Sequence, residues 1–285
     1  MDEKEKFIMS WEMLDGFRKY LEERENTEAT VRKYISDIRV FMQFMREDRE
    51  VNKEKLIGYK QWLSENYALS SANSMIAALN QFLICFGVER WKLRRFKVQT
   101  QCFREEEKEL TQKEYRQLRM TAEQLGKQKI GLMIETIAGT GIRIGELKYF
   151  TAEAVKKGRV FVKNKGKQRM ILIPEKLQHK LRYFIERNGI VSGTVFRTRT
   201  GQPVDRSNIW KQLKRLAEAA GVDTDKVFPH NFRHLFARVF YNATRDIVGL
   251  ADLLGHSNIA VTRLYARSGV EYYQKQLDHL KLVEE

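Results

Sequence analysis

The sequence predicts a mainly α-helical protein with one small antiparallel β-sheet, organised as an all-helical N-terminal unit followed by a larger α+β unit. Three observations predict it. Apolar residues recur at three- and four-residue spacing through most of the chain, two short β-prone runs flank Asn164-Lys-Gly-Lys167, and a basic stretch follows a helix stop near residue 90. With 285 residues and 42% hydrophobic content, the chain is long enough for two units that each bury a core. The expected boundaries are 1–90 for the helical unit, 91–108 for a basic linker and 109–285 for the second unit.

In the first unit, Trp11, Leu14, Phe17 and Leu21 fall on one helical face, as do Val31, Ile35, Ile38, Met42 and Met45, with Thr27 or Thr30 as N-cap. Leu56 to Leu63 suggests a third helix. A fourth, capped by Ser70 or Ser71, buries Met75, Ile76, Leu79, Phe82, Leu83 and Phe86 and stops at Gly87. Arg90, Lys92, Arg94, Arg95 and Lys97 then alternate with Trp91 and Phe96 ahead of the acidic run Glu105-Glu-Glu107.

The second unit opens with Leu110-Thr111 and Glu114, the pattern of a capping box. Ile130, Met133, Ile134 and Ile137 mark a buried helix ended by Gly139-Thr-Gly141. Val160 to Val162 and Met170 to Ile173 read as a hairpin. Helices follow over Asp205 to Ala220, Phe232 to Tyr241 and Ile247 to Leu254, stopped at Gly221 and Gly255 where a glycine stop is present, and another runs from Ile259, capped by Ser257 or Asn258. Val270, Tyr273, Leu277, Leu280 and Val283 give a tail helix an apolar stripe.

Lys and Arg total 52 against 37 Asp and Glu, a net charge of +15, which suits a polyanionic partner. Cys85 and Cys102, the only cysteines, form neither a disulfide framework nor a metal site, so a reducing cytoplasmic setting is expected. No apolar run approaches the roughly 18 to 20 residues of a membrane span, and Met1 to Lys6 is charged rather than a leader. Candidate nucleic-acid contacts are Arg32, Lys33 and Arg39 on the second helix, Arg94, Arg95 and Lys97 in the linker, and Lys211, Lys214 and Arg215 beside Trp210. Each cation alone is equally well a solvated surface charge.

Chemistry concentrates in Thr140-Gly-Ile-Arg-Ile-Gly-Glu-Leu147, Pro229-His-Asn-Phe-Arg-His-Leu-Phe236, Leu253-Leu-Gly-His-Ser257 and Thr262-Arg-Leu-Tyr265. Arginine presents a planar fork to phosphate oxygens, histidine exchanges a proton near neutral pH, and a tyrosine oxygen can hold a phosphoryl ester. His230 and Arg233 lie three apart on one helix and so share a face, with Phe232, Leu235, Phe236 and Val239 expected toward the core. Gly139, Gly141 and Gly145 are expected to clear space beside Arg143 for a phosphodiester. His234 reads as a supporting residue, and Tyr272 and Tyr273 as packing residues.

These motifs resemble the tyrosine recombinases of the phage integrase and Xer-type family over nearly the whole chain. The resemblance implies a SAM-like core-binding domain followed by the family's catalytic domain. Arg143 matches the family's first arginine, Lys165 its hairpin lysine, His230 and Arg233 its His-x-x-Arg box, His256 the histidine of Leu-Gly-His-Ser, and Tyr265 the nucleophile. It implies DNA cleavage and rejoining through a 3′-phosphotyrosyl bond, with no metal, no ATP and no other cofactor. Expected partners are double-stranded DNA with inverted-repeat core sites, three further copies of the chain in a synaptic tetramer, and an accessory directionality factor, all in the nucleoid. A type IB topoisomerase fits less well, given the His-x-x-Arg box with Gly-His-Ser and the short helical N-terminal unit. A non-catalytic relative would have no reason to hold all the site positions.

Overall fold

The structure of the chain, a computed structural model, describes residues 7–97, 109–164, 167–256, 258–259, 262 and 274. It divides into two compact units, Met1–Thr100 and Gln101–Glu285. The mainly helical class with small antiparallel sheets holds. No helix among the described residues is long and apolar enough to cross a membrane.

The first unit is built on α1 (Met13–Glu23), α2 (Glu28–Met45), α3 (Lys53–Asn66) and α4 (Leu69–Cys85). Their apolar faces close on one core that includes Phe17, Leu21, Ile38, Phe41, Leu56, Leu63, Ile76 and Phe82. Thr27 caps α2 by accepting the Thr30 amide at 3.3 Å. Three expectations change. Trp11 precedes α1 and is exposed, and α4 begins before both candidate serines, at Leu69, without a side-chain cap. A two-residue pairing of β1 (Phe7–Ile8) with β2 (Glu50–Val51) is too short to leave a periodic signal.

The basic segment after α4 is strapped to this unit as far as it is described. Asn80 donates to the Leu93 carbonyl at 2.9 Å and accepts its amide at 2.8 Å, and Asn73 treats Phe96 the same way at 3.0 and 2.7 Å. Lys53 Nζ donates to the carbonyls of Trp91 and Lys92. Leu93 is thereby buried while Arg94, Arg95 and Lys97 stay exposed on a fixed backbone.

The second unit runs α5 (Gln112–Gln124), α6 (Gln128–Thr140), a 3₁₀ turn (Ile144–Tyr149), α7 (Ala152–Lys157), β3 (Arg159–Asn164), β4 (Lys167–Leu172), α8 (Glu175–Arg187), α9 (Arg206–Ala220), α10 (Pro229–Thr244) and α11 (Ile247–Leu254). Thr111 and Glu114 form the expected capping box. Helix α6 is the centrepiece, burying Ile130, Met133, Ile134 and Ile137 against α10 and α5. In the β3–β4 hairpin, Val160 pairs with Ile171 and Val162 with Arg169, so Arg169 shares the inward face with three apolar residues while Phe161, Met170 and Leu172 point out. Helix α10 starts at Pro229, ahead of the expected Phe232, and Val239 is exposed, contrary to its expected core position. Of the helix expected from Ile259, Ile259 and Thr262 are described and are helical, and the residues of the tail stripe lie outside the described residues.

Candidate active site

Helix ends build the site. Gly141, at φ +66°, stops α6 in the left-handed conformation that favours glycine, and the chain turns so that Arg143 caps the 3₁₀ turn. Glu146 folds back to accept the Arg143 amide at 2.8 Å and Arg143 Nη1 at 3.4 Å. Pro229 opens α10, where its missing N–H and fixed φ are no cost, and the first turn of the helix brings His230 and Arg233 round to the same cavity. That cavity, of about 380 Å³, is lined by Arg143, Lys148, Lys163, Arg206, His230 and Arg233, with Glu146 the one carboxylate among the described residues of its wall.

Arg233 is 1% exposed. Its Nη1 donates to the Gly141 carbonyl at 2.6 Å and its Nη2 to the Leu254 carbonyl at 2.8 Å. These carbonyls sit at the C-terminal ends of α6 and α11, so two helix dipoles present their negative ends to the buried charge. Nη2 also meets His256 Nε2 at 2.9 Å. A guanidinium only donates, so Nε2 accepts and the His256 proton resides on Nδ1, which donates to Thr262 Oγ1 at 3.0 Å. Burial first, then Arg233, Arg143, Arg169 and His230, push the His256 pKa down to about 4, which keeps this ring neutral near pH 7. His256 is thus engaged as a ring that orients Arg233. Burial, with Arg233 and Arg143 nearby, also lowers the His230 pKa. The His234 ring lies 4.5 Å from that of His230.

Glu146 is 4% exposed and holds a second arginine, accepting from Arg169 Nη2 at 2.6 Å, while Arg169 Nη1 donates to the Leu253 carbonyl at 2.6 Å. The three glycines play parts other than the expected one of clearing space for substrate. A Cβ on Gly141 would meet the Phe236 ring at 2.4 Å, and one on Gly145 would meet Arg206 Nη2 at 2.3 Å. Gly139 lies within α6 with only Leu177 in ordinary contact range. The needed glycine outside that group is Gly255, at φ +66°, where a Cβ would stand 2.4 Å from Arg169 Cδ.

The structure thus brings Arg143, His230, Arg233 and His256 together, while Lys165 and Tyr265 lie outside the described residues, as do Tyr272 and Tyr273. It adds Arg169, Arg206 and Thr262, which sequence reasoning missed. Alternation along β4 could have flagged Arg169 as a charge on an inward face; Arg206 left no comparable signal.

The candidate DNA contacts separate. Arg39, Arg94, Arg95, Lys97, Lys211 and Arg215 are exposed. Arg32 pairs with Glu28 at 3.2 Å and Lys33 with the buried Asp37, four residues along in each case. Lys214 is turned inward: it donates to the Thr224 carbonyl, faces Asp225 at 3.8 Å and lies 4.7 Å from the Trp210 ring centre.

Comparison with known proteins agrees with this geometry. Residues 108–271 match the phage integrase family, and residues 14–85 match the phage integrase N-terminal SAM-like domain. Tyrosine recombinase XerA of Thermococcus kodakarensis is 28% identical over 283 residues, covering 96% of each chain. Two solved structures share the fold. A lambda integrase tetramer bound to a Holliday junction superposes with a TM-score of 0.73 at 18% identity, over 92% of this chain and 78% of that one. The XerH site-specific recombinase bound to its difH substrate gives 0.67 at 16% identity, over 97% and 85%. The chain belongs to the phage integrase family: it is a tyrosine recombinase, a site-specific enzyme that cleaves and rejoins DNA strands.

Proposed function

We propose that the cavity between α6, the hairpin and α10 binds the scissile phosphodiester and that Tyr265 attacks it. The observation that carries this reading is charge. Arg143, Lys148, Lys163, Arg206 and Arg233 line one cavity whose single carboxylate among the described residues, Glu146, is already held by Arg143 and Arg169. Such a cavity is complete only with an anion in it.

In the proposed step, the Tyr265 oxygen forms a bond to phosphorus and the bond to the 5′ oxygen breaks. The tyrosine proton passes to His230, whose lowered pKa leaves it neutral and able to accept. Lys165 protonates the departing 5′ oxygen. Arg143 and Arg233 stabilise the charge on the non-bridging oxygens as phosphorus becomes five-coordinate, and His256 keeps the Arg233 fork in register. The products are a 3′-phosphotyrosyl DNA and a free 5′ hydroxyl. Rejoining is the reverse, so the ester energy is kept without ATP, and the arginines supply the charge a metal would otherwise supply.

A nicked suicide substrate tests this. Wild type should accumulate a covalent adduct mapping to Tyr265, in excess EDTA as in its absence, and Tyr265→Phe should form none. An adduct at Tyr272 or Tyr273, or a strict metal requirement for cleavage, would overturn the assignment.

At the level of assembly, we infer that residues 1–90 act as the core-binding domain, 91–108 as a basic linker and 109–285 as the catalytic domain. The exposed Arg94, Arg95 and Lys97 support a backbone-tracking role for the linker. Inverted-repeat core sites, a synaptic tetramer, an accessory directionality factor and work at the nucleoid complete the proposal. A fragment starting near Glu105 should bind core-site DNA far more weakly than the full chain; equal affinity would overturn the core-binding role of residues 1–90.

A further inference from the structure

We propose that Arg206, a residue outside the recombinase motif, grips the DNA phosphate next to the scissile one; this rests on the reading of the cavity as the scissile-phosphate site.

Arg206 is the first residue of α9, and its guanidinium lies across the backbone of Gly145, in the turn that presents Arg143 and Glu146. A Cβ on Gly145 would stand 2.3 Å from Nη2, 3.0 Å from Cζ and 3.1 Å from Nε. The glycine therefore makes the seat for this side chain. No carboxylate pairs with Arg206 among the described residues. Asp205, beside it, accepts the Ser207 amide at 2.8 Å as the cap of α9, and Glu146 is held by Arg143 and Arg169. A long, exposed side chain could extend into water, yet it adds a further guanidinium to a cavity that already holds Arg143 and Arg233. Like charges in one cavity repel, and an anion there turns the repulsion into a clamp.

Depth decides which phosphate. Arg233 forms the floor at 1% exposure, whereas Arg206, like His230, is exposed at the mouth. Successive phosphates of one strand are displaced along the helix axis by only about 3.4 Å, so a strand that seats its scissile group beside Arg233 carries the neighbouring phosphate past the mouth, where Arg206 lies.

Binding of the full chain to half-site DNA is the measurement, with adduct formation on a suicide substrate alongside. Arg206→Ala should weaken binding about tenfold and reduce the log-log salt slope by about 0.9, one phosphate's worth. Adduct formation by Arg206→Ala should lose more at subsaturating than at saturating DNA. Arg206→Lys should recover part of the affinity. Gly145→Ala, which displaces the guanidinium, should mimic Arg206→Ala and add nothing to it. A single neutral methylphosphonate at a flanking position should cost wild type the same affinity and cost Arg206→Ala no more, while one at the scissile position should weaken both equally. The inference is overturned if wild type cleaves and Arg206→Ala binds with unchanged affinity and salt slope. It is also overturned if its penalty adds to every flanking substitution, or couples to the scissile phosphate instead. A wild-type chain that forms no adduct would remove the underlying reading itself, a distinguishable failure.

Discussion

The candidate DNA-contacting cations of the helical unit and the arginines of the catalytic cavity are held in opposite ways. On α2, Arg32 and Lys33 are steadied by carboxylates four residues along the same helix, and Arg39, Arg94, Arg95 and Lys97 face solvent. In the catalytic unit, Arg233 reaches partners 92 and 21 residues away, and Arg169 partners 23 and 84 away. Surface cations are screened, mobile and individually worth little. Buried ones fixed by carbonyls and a carboxylate are in place before substrate arrives, which is what stabilising a developing charge requires. The helical unit's charges therefore suit affinity, and the catalytic unit's suit rate.

The sharpest way to break that contrast is Arg233→Ala. Loss of a preorganised donor of this kind should slow single-turnover cleavage roughly 10²-fold or more, about 2.7 kcal/mol. The carbonyls of Gly141 and Leu254 would lose their partner, at about 1–3 kcal/mol for each that stays dry. Thermal melting and cleavage should fall together, and Arg233→Lys should rescue neither, because one ammonium cannot reach two helix ends and an imidazole. Near-wild-type cleavage by the lysine variant would show that charge alone suffices. Next comes Glu146→Gln, which leaves Arg169 without its carboxylate and should destabilise the catalytic unit by about 3–5 kcal/mol. A melting temperature within a degree or two of wild type would mean that Arg169 finds another partner.

Much of this was legible in the sequence because much of it is local. Apolar spacing located α1 to α4, α6 and α9 to α11, Thr111 with Glu114 announced the capping box of α5, and Gly221 and Gly255 stopped their helices in the left-handed conformation, whereas α8 was not anticipated despite its stripe of Leu177, Leu181 and Phe184. Arg143, His230, Arg233 and His256 stood out because their motifs are compact. Arg206 escaped because its partner surface, the bare backbone of Gly145, is a tertiary contact and glycine beside Arg143 invited a different explanation. The β1–β2 pairing escaped for want of length, and the Lys214 contacts because nothing in Trp210-Lys-Gln-Leu-Lys214 says which lysine turns inward.

A pH series sharpens the account of His256. Its pKa of about 4 in the folded chain lies below the ordinary 6.5. The stability tied to the neutral ring is thus fully present above pH 6.5 and is lost as pH falls toward 4. Wild-type melting temperature should drop more steeply over this window than that of His256→Asn. His230 shifts in the same direction, so the difference between the two curves is the quantity to read. Parallel curves would place the His256 ring in water rather than against Arg233. Thr262→Val should move the same curve by less, since it removes only the acceptor for Nδ1.

The smallest expected effects lie on α9, where they distinguish surface cations from structural ones within one helix. Lys211 and Arg215 are exposed and four apart, hence on one face, whereas Lys214 is bound to the Thr224 carbonyl and seated over Trp210. If the exposed pair touches DNA backbone, replacing either by Ala should weaken binding a few-fold at low salt and lower the salt slope by up to about 0.9. Melting temperature should hardly change. Lys214→Ala should do the reverse, lowering the melting temperature slightly while leaving the salt slope alone, because its ammonium is already committed to the Thr224–Lys226 turn. Arg32→Ala gives the matching comparison in the helical unit. Its Glu28 pair is exposed and worth a few tenths of a kcal/mol, so any larger loss of DNA affinity measures a phosphate contact. A salt slope that fell with Lys214→Ala and held with Lys211→Ala would reverse the assignment of inner and outer cations on this helix.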